Sequence, residues 1–189
     1  MRVRAYVDAG RPIVALRTAS HGFQNYLQFD ADVLGGNYKG HFGNGPTTEV
    51  GVTPTGRAHP VLEGVGPLRS RYSLYKTQPL TNDAGTLMIG KTPFSDGWQP
   101  LTWAREHKGG RVFYTSLGGV SDFEGDSFRR LIANALFWAA RHDPLRKPPA
   151  ELAPWERKTG VITVPLRSRE RDAETSLTPQ SLFVRVARS

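Results

Sequence analysis

The sequence predicts an α/β fold organised around one short strand. Ile13, Val14, Ala15 and Leu16 form an apolar run without polar alternation, as expected of a central parallel strand covered on both faces. Just upstream, Val3, Tyr6 and Val7 recur at helical spacing, so the chain enters this strand from a helix. Near residue 140 a longer amphipathic helix closes the patterned part of the chain.

Each element has a local reason. Gly10 suits the left-handed position past the first helix, and Pro12 forbids its continuation. Arg17, Thr18, Ser20 and His21 then fall at the carboxyl end of the strand, where open α/β sheets place ligands. Phe29 to Gly36 reads as a brief helical turn with Asp30 as N-cap and glycine as terminator. The glycine-rich segment 37–46 is a loop presenting Tyr38, His41 and Phe42. Strands are expected at 49–53, at 68–74 with one wet face, and at 86–90. The arms 101–105 and 111–117, joined by HKGG, read as a hairpin. Asp126 or Ser127 caps a helix over 127–141, whose apolar face is Phe128, Leu131, Ile132, Ala135, Trp138 and Ala139. From Pro144 the pattern fades, so the chain divides into a body over 1–143 and a basic, disordered tail over 144–189.

Composition narrows the function classes. With no cysteine among 189 residues, disulfides, thiolate metal sites and cysteine nucleophiles are excluded. The net charge of +8 is uneven, ten basic and six acidic residues lying from Arg141 onward, and no basic helix face supports nucleic-acid binding. No apolar run approaches the roughly 20 residues of a membrane span, and the N-terminus lacks a signal-peptide pattern. As written the chain reads as cytoplasmic, with no membrane or nucleic-acid partner; a start further upstream would reopen secretion.

Five segments in order, AGRPIVALRTASHGF, VLGGNYKGHF, HPVLEGV, PLTWAREHKGGRVFYTSLGG and FRRLIANALFWAA, resemble the ThuA-like (trehalose utilisation) family across roughly residues 1–142. The resemblance implies a flavodoxin-like, doubly wound sheet of the class I glutamine amidotransferase type, and a role in carbohydrate metabolism. Against that pattern the first βα units are missing, so the sequence reads as N-terminally truncated. Ile13–Leu16 would then have a bare edge through which copies associate into a homo-oligomer. Gly119 also stands where the family commonly has a histidine after Leu-Gly.

Amidotransferases place a cysteine nucleophile on the turn after the equivalent strand; here that turn reads Arg17, Thr18, Ala19, Ser20, so thiolate chemistry on glutamine is impossible. The candidate proton-transfer groups are His21 and His41. Candidate sugar contacts are Arg17, Thr18, Ser20, His59, Tyr75 and Trp103, with Tyr38 as a further stacking ring. The competing reading of Arg17 is a salt bridge that fixes the turn, and that of His59 a turn residue before Pro60. No close histidine pair suggests a metal, and no cofactor is indicated. The expected ligand is a sugar or keto-sugar. The alternative is a non-catalytic sugar-binding or assembly module, or a degenerate fragment, which leaves open whether the protein is an enzyme.

Overall fold

The computed structural model describes residues 2–142. The basic tail expected over 144–189 lies outside the described residues. A short helix, α1 (Arg2–Asp8), ends at Gly10 with φ +64° and leads into strand β1 (Ile13–Leu16). Then come β2 (Thr48–Val52), α2 (Pro54–Arg57), β3 (Arg69–Ser70), β4 (Gly85–Lys91), β5 (Gln99–His107), β6 (Gly110–Thr115) and α3 (Asp126–Ala139). The strands form one mixed sheet in the order β1-β6-β5-β4-β2-β3. β1 runs parallel to β6, from Ile13 opposite Val112 to Leu16 opposite Thr115, while the other neighbouring pairs are antiparallel.

β1 therefore lies at the sheet's edge among the described residues, not at its centre. Its unalternating apolar sequence has another cause: both of its faces are covered. Val14 and Leu16 pack with Phe113, Phe128, Leu131 and Ala135 on the α3 side. Ile13 and Ala15 pack with Val7, Tyr26, Phe29, Trp103 and Tyr114 on the other. Burial on two faces produces a continuous apolar run whether or not both edges are paired. Covering layers and hydrogen-bonded neighbours are independent properties of a strand.

Helix α3 buries the expected stripe of Phe128, Leu131, Ala135 and Ala139. Asn134, fully buried on the same helix, donates to the carbonyls of Val61 and Glu63 and ties α3 to the connection after α2. The hairpin β5–β6 forms as predicted, with Thr102 and Thr115 sharing a 2.7 Å hydroxyl hydrogen bond between its arms.

Two local expectations are corrected. The strand expected over 68–74 survives only as β3, because Ser70 donates to Asp122 and accepts from the Tyr72 amide, which turns the chain out of the ladder. The turn at Asp30–Leu34 ends at Gly35 with φ +76°, as expected, but Asp30 is not its N-cap. Its carboxylate reaches forward instead, accepting a 2.6 Å hydrogen bond from the Tyr38 amide.

Candidate functional site

At the end of β1 the backbone turns sharply into a 3₁₀ turn over Arg17–Ser20. Arg17 sits at φ +43°, a left-handed conformation that side chains with a Cβ seldom adopt. Three hydrogen bonds hold it there. Its carbonyl accepts from the Tyr114 hydroxyl at 3.0 Å and the Ser20 hydroxyl at 3.1 Å, and its Nη1 donates to the Ser116 carbonyl at 2.7 Å. The guanidinium lies over the rings of Tyr75 and Tyr72, 4.8 and 5.3 Å from their centroids. Among the described residues no carboxylate forms an ion pair with Arg17.

His21 follows on the same turn. Its ring stacks on Tyr38 at 4.0 Å, with an interplanar angle of 13°, and meets the edge of Tyr75 at 5.7 Å. Tyr38 and Tyr75 also touch edge to face, so one imidazole, two phenols and a guanidinium form a continuous cluster. Ser20 fixes the imidazole through a 3.0 Å contact between its hydroxyl and Nδ1. The Nδ1–H tautomer satisfies both contacts at once, with the single Ser20 hydroxyl proton donated to the Arg17 carbonyl and Nδ1–H donated to Ser20, and it leaves the lone pair on Nε2. Burial, and then the Arg17 charge, hold the His21 pKa below its usual value. Both effects favour the uncharged imidazole.

Beside this cluster is a cleft of about 220 Å³ lined by Ser20, His21, Tyr26, Asp30, Asn37 and Tyr38, among others. Among the described residues Asp30 is the sole acid of its lining. Burial pushes its pKa up to about 6 against the opposing effect of the Tyr38 amide, and Oδ1 is enclosed without a hydrogen-bond partner. Sequence reasoning missed this residue as a site group, since an aspartate ahead of a short turn carries a stronger N-cap signal. Tyr72 was also missed. Its ring occupies the space above Gly119, where an added Cβ would fall 1.9 Å from a ring carbon, and its hydroxyl accepts from the Ser121 amide.

Of the residues singled out in the sequence, Arg17, Ser20, His21, Tyr38 and Tyr75 come together. Thr18 is exposed, and its carbonyl accepts the His21 amide. His41 reaches the cluster through its backbone, bridged to Tyr75, while its exposed ring contacts the Gly43 carbonyl. Trp103 is fully buried, tilted against Tyr114, and its indole N–H donates to the Leu34 carbonyl. His59 stands apart from the cluster: its Nδ1 accepts the Val61 amide and its ring edge meets Trp138 of α3.

Comparison with known proteins follows the same lines. The family model described as ThuA, trehalose utilisation, matches residues 1–139. Among solved structures, a ThuA-like protein from Parabacteroides merdae is similar at a TM-score of 0.61 and 20% identity, over 78% of this chain and 67% of that one. The cold-adapted β-galactosidase from Rahnella sp. R3 is similar at a TM-score of 0.51 and 18% identity, over 78% of this chain but 22% of that one. At such identities the likeness is one of fold. No curated protein matches the sequence significantly.

Proposed function

Because the chain belongs to the ThuA (trehalose utilisation) family, we propose that it binds or processes a sugar or keto-sugar derivative and has no amidotransferase activity. The observation that carries this proposal is the His21–Tyr38–Tyr75 cluster at the carboxyl end of β1, with a basic imidazole nitrogen beside a cleft. Aromatic rings with a few convergent polar groups suit a sugar, which offers an apolar C–H face and hydroxyls at its rim. The cleft's roughly 220 Å³ lies below the roughly 300 to 1,000 Å³ of common ligand pockets, so it fits one sugar ring better than an oligosaccharide. In this proposal His21 moves a proton at a carbon next to a carbonyl, with Ser20 holding its tautomer and His41 assisting from the rim. The residue that stands on the strained turn is Arg17, which lacks a nucleophilic atom.

The architecture proposed alongside is the flavodoxin-like, doubly wound sheet. Its support is the parallel β1–β6 pair with helices on both faces. The functional test is a thermal-shift screen of the full chain against monosaccharides and their keto derivatives, repeated with His21→Ala. Ligand at about 100 times its dissociation constant stabilises the folded state by about 2.7 kcal/mol, a readily visible shift. A shift that His21→Ala abolishes supports the proposal. Equal shifts in both proteins, or none in either, contradict it.

A further inference from the structure

Arg17 is held by three hydrogen bonds, and among the described residues no carboxylate balances its charge. A half-buried cation without a carboxylate is costly unless a partner arrives from outside. Two hydrogen bonds to its carbonyl hold the backbone at φ +43°, and the third, from Nη1 to the Ser116 carbonyl, positions the guanidinium. Its Cζ lies over the rings of Tyr75 and Tyr72, and these contacts give the in-plane N–H groups no oxygen to bond. A guanidinium has five such donors, and Ser116 accepts from Nη1 only. Among the described residues no neighbouring group supplies the counter-ion: His21 carries no negative charge, and Asp30, whose Oδ2 accepts from the Tyr38 amide, forms no ion pair with Arg17.

We propose that Arg17 anchors an anionic group of the ligand, a carboxylate or a phosphate, so that the sugar taken by this site is an acidic one. The inference rests on the sugar-binding proposal above and adds the ligand's charge to it. A planar carboxylate, or two oxygens of a phosphate, matches the open edge of the fork, while the sugar ring extends towards Tyr38 and His21.

Isothermal titration of the full chain separates the two claims. The probes are D-gluconate, D-glucuronate and D-glucose 6-phosphate, compared with D-glucose, acetate and inorganic phosphate. Acidic sugars are expected to bind at least about tenfold tighter than D-glucose, an advantage lost in Arg17→Met and reduced in Arg17→Lys. Raising salt from about 20 to about 500 mM should weaken the acidic sugars and leave D-glucose unaffected, a readout on the wild-type chain alone. Preference among the probes tells carboxylate from phosphate. If D-glucose binds as tightly as the acids, the anionic inference is overturned and sugar binding survives. If acetate or phosphate matches the acidic sugars, Arg17 stands as an anion anchor and the sugar proposal fails. If none of the probes binds, both are overturned.

Discussion

Asp30→Asn should make this protein more stable relative to wild type as the pH rises. Asp30 is 6% exposed, its Oδ1 has no partner, and burial pushes its pKa up to about 6 from an ordinary 3.8. A rise of about 2 in pKa, at about 1.36 kcal/mol each, corresponds to about 3 kcal/mol. The folded state holds this proton more tightly than the unfolded chain does. Stability is therefore intact below about pH 4 and is lost as pH climbs through about 6, where folding must bury an ionised carboxylate. Asparagine keeps an acceptor for the Tyr38 amide but does not titrate. Its new N–H donors replace an unpartnered oxygen and add a constant cost of about 1 to 3 kcal/mol, independent of pH. The clean observable is thus the difference between variant and wild type. It should swing towards the variant by about 3 kcal/mol between pH 4 and 7.5, or about 6 to 12 °C in Tm for a chain of this size. Calorimetry across that range reads it directly. A difference that stays flat with pH would refute the buried, perturbed carboxyl.

Other perturbations follow from the same geometry. Arg17→Met should raise the His21 pKa towards its ordinary value without fully restoring it, since burial is the larger cause; imidazole NMR titration reads the change. Gly119→Ala drives a Cβ into the Tyr72 ring and should cost several kcal/mol, whereas adding Tyr72→Ala should recover part of that loss, a double-mutant cycle measured by denaturant unfolding. Phe128→Ala, at a site with 1% exposure on the buried face of α3, should cost about 3 to 5 kcal/mol on the same assay. The edge of β1 that is unpaired among the described residues should promote self-association, visible by sedimentation velocity as a sedimentation coefficient that rises with loading concentration.

Much of the fold was legible because its signals are local. Helix α1, strand β1, the β5–β6 hairpin and α3 each announce themselves in the spacing of apolar residues and in punctuation by Gly10, Pro12 and Gly109–Gly110. The position of β1 in the sheet was not legible, since the sequence of a strand records what covers its faces and not what pairs with its edges. At the site, the turn carrying Arg17, Ser20 and His21 could be read as one segment. Its partners Tyr38, Tyr72 and Tyr75 arrive through long-range contacts that no local pattern encodes. Asp30 misled for a physical reason: the residue type that caps helices also serves to hold a following loop, and only the Tyr38 amide distinguishes the two.

The central claim is that ligand binds where β1 ends. Amide chemical-shift mapping of the labelled full chain, titrated with the sugar giving the largest thermal shift, tests it most directly. The account predicts perturbations concentrated at Arg17, Ser20, His21, Asn37, Tyr38 and Tyr75. Perturbations centred instead on the separate cleft between Pro67 and Phe128, with the β1 turn silent, would contradict it.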